Sequence, residues 1–399
     1  MTDRLGAQFP LGSDRHRSAR VSPDGVLTSD EMARHSLEAS QSKKKRLVIG
    51  TLYGVGIVVA LLLGWLIYAR TSPAKPLSAE VTTYSHTGVF DARGIAAQGH
   101  YVWIADVGKL PQGAAGVNHG EKVVRLDVAT GVATLITSSL FSLPLGIATS
   151  PHFVWVLNQG FSTHQYSILR IDDATLAVTN VTLPPRLRYG FNYSQGGYVM
   201  AGGSLWISTT EGVVRVNTTT LAVSLITSPL LTGGPIGAGM VADARYVWLS
   251  QPAGAESNPA AQAQYVVRVA IATGVVTKFS VPDVLQATPV ADEDGILWIV
   301  GTQGLQRFNL RTRRASAIIL PENVALLDTP SGLAVVSKGY LNLVAEGALV
   351  RVNLKTGHVA VEFSTTLESP GGVTATNGAV WVDNTFASQS HLPVLVRVP

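Results

Sequence analysis

The chain contains no cysteine. That excludes a disulfide framework, a cysteine-ligated zinc site, an iron–sulfur cluster and a thiol nucleophile. Charge is scarce as well: 14% of the 399 residues are charged, against 46% hydrophobic. A chain this apolar is not disordered as a whole. The histidines that follow the membrane-type segment described below, at positions 86, 100, 119, 152, 164, 358 and 391, fall in no HxH, HxxxH or HExxH arrangement. No GxSxG elbow is present, and the glycine-rich stretch 232–239, TGGPIGAG, lacks the Lys-Ser/Thr tail of a phosphate loop. No metal site and no cofactor are expected.

The charge that exists is unevenly placed. Residues 1–46 carry nine Lys/Arg and six Asp/Glu, whereas residues 70–399 carry 21 and 20. A large segment this close to neutrality has no electrostatic footprint for a phosphate backbone, so nucleic acid is not expected as a partner.

Residues 47–69, LVIGTLYGVGIVVALLLGWLIYA, run for 23 residues without a charge. As a helix they would span roughly 35 Å, against a hydrocarbon core of about 30 Å. Trp65 and Tyr68 suit the far interface, and Lys43, Lys44, Lys45 and Arg46 abut the near one. The expectation is a single-pass transmembrane helix with a cytoplasmic N-terminus. Residues 1–46 then form a disordered basic cytoplasmic tail, 70–79 a stalk, and 80–399 an extracytoplasmic domain.

That domain is built from repeats. Six runs with a central Trp, such as YVWIAD (101–106), FVWVLN (153–158) and AVWVDN (379–384), alternate with seven runs with a central Arg, such as VVRLD (123–127) and ILRID (168–172). LAVVSK (333–338) reads as a seventh copy of the first kind, with Val335 in the place of Trp. A turn and a small-residue segment (GIAA, GIAT, VMAG, GMVA, TPVA, ALLD, GVTA) precede each copy. A turn such as DVATG or NLKTG and a further short strand follow most Arg runs. Four short strands recurring about every 45 residues predict an all-β, seven-bladed β-propeller of four-stranded antiparallel blades. The small-residue strand is innermost, where blades converge. The Trp and Arg strands lie between neighbouring blades and read as continuous apolar runs because both faces are covered. The seven arginines (125, 170, 215, 268, 307, 351 and 397) are expected to join blades rather than bind an anion. The seventh blade lacks an outer strand at the C-terminus, and EVTTYS (80–85) matches the outer-strand pattern. The N-terminal strand is expected to close the ring.

The LWI/VWV runs, the VVRLD/ILRID runs and the DVATG/NLKTG turns resemble those of bacterial propellers of the streptogramin B (virginiamycin B) lyase-like and YVTN-repeat families. The resemblance covers about residues 80–399. For the lyases it implies metal-assisted elimination, with histidines and a carboxylate at the channel mouth. The family's Pro-His-Gly-Ile start to the inner strand is matched here by Ala92-Arg93-Gly94-Ile95, Pro144-Leu145-Gly146-Ile147 and Pro370-Gly371-Gly372-Val373, without the histidine. A binding or scaffold module for a protein, peptide or glycan, or for a small polar ligand, is the expectation; a lyase or hydrolase acting on a small ester or lactone is the alternative.

Function on a rigid scaffold concentrates in loops. The segment 184–198, PPRLRYGFNYSQGGY, carries Arg186, Arg188, Tyr189, Phe191 and Tyr193, residue types that dominate binding hot spots. His119, His164 and His391 lie in other loops of the same face. Arg93 begins the first inner strand and should face the channel mouth. The polar residues three after each Trp, among them Asp106, Asn158 and Asn384, are expected to ring the opening. Asp292-Glu293-Asp294-Gly295 reads as a turn rather than a calcium loop.

Overall fold

In the computed structural model the chain divides into two units, residues 1–72 and 73–399. In the first unit the structure describes residues 34, 36–38, 40 and 41, all helical. In the second it describes 82–84, 88–108, 120–160, 166–187, 197–231, 239–250, 265–281, 288–301, 304–321, 324, 334–345, 347–363, 367, 370–384 and 395–399. Among the described residues no helix is long and apolar enough to cross a membrane. The expected span, 47–69, lies outside them, as do most of the basic tail and the stalk.

The second unit is a seven-bladed β-propeller. Its seven sheets each hold four strands, and every pairing is antiparallel. Blade 1 runs from the inside outward as Ala92–Gln98, Tyr101–Asp106, Lys122–Asp127 and Ala133–Ile136. The inner strands of blades 2 to 7 are Pro144–Ser150, Tyr198–Ala201, Met240–Ala242, Thr288–Glu293, Ala334–Ser337 and Pro370–Thr376. In the seventh sheet Thr82–Tyr84 lies outermost, with Thr82 opposite Arg397 and Tyr84 opposite Leu395.

The Trp–Arg alternation becomes a single register. Trp103 faces Arg125, Trp155 faces Arg170, and the same pairing recurs in blades 3, 4, 5 and 7. Each Trp packs forward onto the next blade: Trp155 lies against Leu205, Ile207, Val214 and Val216, for example. All six are almost wholly buried. Three arginines reach forward in the same sense and donate to main-chain carbonyls of the following blade: Arg125 to Asp173, Arg215 to Ile271 and Arg351 to Val398. Arg268 stacks on Tyr246, and Arg170 on Phe153.

The turns explain the rest of the repeat. After five of the Arg strands an Asp or Asn side chain (Asp127, Asp172, Asn217, Asn309, Asn353) accepts hydrogen bonds from the amides two and three residues on. That is the local side-chain turn these residues favour. Asp294 and Gly295 both take positive φ, as do Gly202 with Gly203, Lys338 with Gly339 and Asn377 with Gly378. These are two-residue hairpin turns that need left-handed residues. Of the 292–295 segment, Asp294 and Gly295 form the turn, while Asp292 and Glu293 end the inner strand of blade 5.

Blade 6 departs from the sequence expectation. LAVVSK is not a Trp-type strand: Ala334–Ser337 is the inner strand, and ALLD lies outside the described residues. The second strand is Tyr340–Ala345, and Asn342 occupies the Trp register opposite Arg351. Asn342 is buried and donates to the carbonyls of Val335 and Tyr340 while accepting from Arg351 Nε at 3.0 Å. A polar residue at a core position hid this strand from a search for apolar runs.

Candidate functional site at the blade 7–blade 1 junction

Three consecutive blades around the ring, 7, 1 and 2, differ from the others. Their inner strands are seven residues long, and each opens with a bulge, at Pro370/Gly372, Ala92/Gly94 and Pro144/Gly146; the six-residue inner strand of blade 5 has a further bulge at Pro289/Ala291. A bulge re-aims one side chain and recurs next to functional sites. The bulged residues are Gly371, Arg93 and Leu145 in these three blades and Val290 in blade 5. The glycines after two of the bulges, Gly94 and Gly146, let strands crowd together. A Cβ on Gly94 would sit 3.2 Å from Ile147 N, and one on Gly146 would sit 2.7 Å from the Tyr198 ring. The Tyr198 hydroxyl accepts a hydrogen bond from Ile147 N at 3.1 Å, and burial pushes its pKa up to about 12.

The one charged bulge residue is Arg93. Its guanidinium donates to Asp91 Oδ2 at 3.0 Å; the Arg93 side chain is 24% exposed and that of Asp91 5%. Behind them sits a second pair, Asp106 with Lys122 at 2.8 Å, both nearly inaccessible. Asp106 also accepts the amides of Asp91 at 2.8 Å, Gly108 at 3.0 Å and Phe90 at 3.1 Å. Lys122 Nζ lies 4.7 Å from the Phe90 ring centroid. Asp106 thus fastens the segment that carries Asp91 and Arg93.

Asp383 completes the group. It is fully buried, and Gly372 lies opposite it on the neighbouring strand. Burial pushes its pKa up to about 7. The nearby amides of Gly371 and Gly372 pull it down, Asp91 raises it and Arg93 lowers it. Its charge is also felt at Tyr198. The position two after the Trp register is Ala105, Leu157, Ser208, Ser250, Val300 and Val344 in blades 1 to 6. A carboxyl there is particular to blade 7.

The structure distributes the sequence-predicted residues as follows. Arg93 lies in this cluster. Asp106, Asn158 and Asn384 are fully buried, which corrects the expectation that they ring an open mouth. Asp106 caps backbone amides, and Asn158 donates to Leu140 O and Ser167 Oγ. Polar side chains at these strand ends satisfy main-chain groups that would otherwise be orphaned. Arg186 lies exposed in the short 3-10 helix Pro185–Leu187. His119, His164, Arg188, Tyr189, Tyr193 and His391 lie outside the described residues. Asp91, Tyr198 and Asp383 were missed from sequence. Among the described residues no group of three or more His, Asp or Glu could hold a metal ion.

A second carboxyl group departs from ordinary behaviour elsewhere. Asp292, at the end of the blade 5 inner strand, has its pKa pushed up to about 7 by burial and by the neighbouring Asp243 carboxyl.

No protein-family model matches the sequence, and no curated protein matches it. Solved structures do match in fold. The extracellular domains of two hybrid two-component systems of Bacteroides thetaiotaomicron are each 13% identical, with TM-scores of 0.51 and 0.52. The matches cover 82% of this chain but 42% and 43% of those chains, so this chain corresponds to under half of their length. A puromycin hydrolase matches at 12% identity and a TM-score of 0.50, covering 73% of this chain and 50% of the other. These likenesses establish a propeller and nothing about its chemistry.

Proposed function

We propose that this chain is a membrane-anchored extracytoplasmic propeller that binds a protein, peptide or glycan, or a small polar ligand, at its channel mouth and neighbouring loops. Residues 47–69 are the anchor, with the N-terminus cytoplasmic, and the N-terminal strand closes the ring. The observation that carries the reading is Arg93. It is a charged residue placed by a bulge, paired with Asp91 at 3.0 Å, and still partly open to solvent. A preorganised guanidinium recognises carboxylate and other planar acceptors. Loop 184–198, with Arg186, Arg188, Tyr189 and Tyr193, would extend the contact. The extracellular placement of the two-component propellers is compatible with this topology.

The test is a thermal-shift screen of the full chain against acidic and neutral glycans, peptides and cyclic esters. A ligand at 100 times its dissociation constant adds about 2.7 kcal/mol of stability. A hit that is lost in Arg93→Ala and weakened in Arg186→Ala supports the site. A hit that both variants retain unchanged places binding elsewhere.

One observation favours a second reading, a lyase or hydrolase resembling streptogramin B lyase. A carboxyl with a pKa near neutrality, as at Asp383, is the property of a general acid or base. A cyclic ester consumed by the full chain but not by Asp383→Asn would select it.

A further inference from the structure

We propose that the outer strand of blade 1, Ala133–Ile136, is an edge through which two copies of this chain pair, antiparallel across a two-fold axis, so that their first blades join into one continuous sheet. This pairing does not depend on what the channel mouth binds.

Every blade ends in an open strand, and an open strand offers a row of unpaired main-chain groups to another chain. Proteins blunt such edges with charge, proline, bulges or shortness. Blades 4 to 7 are blunted in this way. Val276–Ser280 carries Lys278, Arg314–Ala317 begins with Arg314, Val359–Phe363 carries Glu362, and Thr82–Tyr84 is three residues long. Blades 1 to 3 are not. Their outer strands, Ala133–Ile136, Val178–Val181 and Val223–Ile226, hold no charge and no proline and pair in unbroken register. The stretches around them, 132–140, 177–183 and 222–228, are uncharged as well.

Exposed apolar side chains set blade 1 apart from the other two. Val132 is 60% exposed, Leu135 52% and Leu140 41%, whereas the outer strands of blades 2 and 3 expose no large hydrophobic residue to this degree. Leu135 lies opposite Val124, and a Cβ on Gly88 would come within 3.2 Å of it. Gly88 thus leaves room for a side chain that is still half open to solvent. Asp127 N donates to Val132 O, so Thr134 and Ile136 also face their partners in hydrogen-bonded pairs. The amides and carbonyls of Ala133 and Leu135 therefore point away from their own sheet.

The missing charge names the occupant. In a two-fold interface a strand meets its own copy, so any charge on it faces a like charge nearby. A foreign strand carries no such restriction, because opposite charges would serve it. The register that uses both outward-pointing residues puts Ala133 opposite the copy's Leu135 and Thr134 opposite the copy's Thr134. A ladder this short lies at the low end of interface sizes, so the pairing is reversible and concentration-dependent.

The experiment is sedimentation of the full chain in detergent micelles at up to about 100 μM, a range that populates a dimer of micromolar affinity. The variants are Leu135→Lys and, as a control of similar exposure on blade 4, Val275→Lys. Wild type and Val275→Lys should show a monomer–dimer equilibrium that Leu135→Lys weakens at least about tenfold. Both variants should keep the wild-type melting temperature, since both side chains lie at the surface. The chain has no cysteine, so Thr134→Cys gives a second measurement free of background. Opposed residues of a non-hydrogen-bonded pair lie about 4.5 Å apart at Cα, so mild oxidation should link two copies through Thr134→Cys. Thr179→Cys, at the same position on blade 2, should stay largely unlinked. Wild type that remains monomeric overturns the proposal and leaves the edge to a strand of another protein. A dimer that Leu135→Lys leaves unchanged, or linking at Thr179→Cys as fast as at Thr134→Cys, overturns it in favour of another interface.

Discussion

Replacing Asp106 by Asn tests whether the buried Asp106–Lys122 pair is structural. Asp106 and Lys122 are 2.8 Å apart, with side chains 0% and 7% exposed. An Asn carbonyl can still accept the amides of Asp91 and Gly108, which share one oxygen of Asp106. The other oxygen, which serves Phe90 N and the lysine, becomes an NH2 that cannot accept. Lys122 is then left with Gly120 O at 3.2 Å and the Phe90 ring. Removing one partner of a buried pair costs about 3–5 kcal/mol, mostly because the other charge is stranded. Urea unfolding of the full chain at pH 7 should show a loss of that size with an unchanged m-value. Adding Lys122→Met removes the stranded ammonium, so the double variant should recover at least about 1 kcal/mol. A single variant within about 1 kcal/mol of wild type, or a double variant worse than the sum of the singles, would refute this account of Asp106.

Other expectations concern the scaffold. Trp155→Ala empties the junction between blades 2 and 3 and should cost about 3–5 kcal/mol in chemical unfolding. Gly212→Ala should lower the melting temperature clearly, because φ is 150° there and a Cβ would lie 2.3 Å from the Ile226 carbonyl oxygen. Turn amides, chiefly that of Thr130, hold the Asp127 carboxyl below the usual range, and those of Thr175 do the same for Asp172. Stability from these groups is present above pH 4 and is lost as pH falls through their lowered values. Asp127→Asn keeps the accepting oxygen, as Asn217 and Asn353 do in equivalent turns, and should move the acid-unfolding midpoint to lower pH.

The blades were legible because their signals are local and repeated. A Trp flanked by β-branched residues, an Arg two strands' reach away and an Asp-x-x-Thr turn each have a local cause. Blade 6 was misread at Asn342, where a hydrogen-bonded amide occupies the register that a Trp holds in the other blades. Polarity after the Trp was read as exposure. At Asp106 and Asn158 it instead answers buried main-chain and side-chain groups. Asp383 was passed over for its neighbour Asn384, because what isolates its carboxyl is the meeting of blades 7 and 1, far apart in sequence. Comparing the same strand position across blades would have exposed it.

The forward reach of each blade bears on how the ring is made. Six junctions join segments adjacent in the chain, so they can form in order as a nascent polypeptide emerges. The seventh packs Trp381 and Leu395 against Ala92, Ile95, Val102 and Leu126, and Thr376 Oγ1 donates to Gly99 O. Those contacts span nearly the whole domain, and long-range contacts carry the largest loop-closure entropy and form slowest. Until they form, the exposed face of blade 1 is an apolar surface waiting for its partner, and another copy's blade 7 could take the place of its own. The junction that holds Arg93 and Asp383 is thus the one at which a newly made chain is most open to pairing with a neighbour.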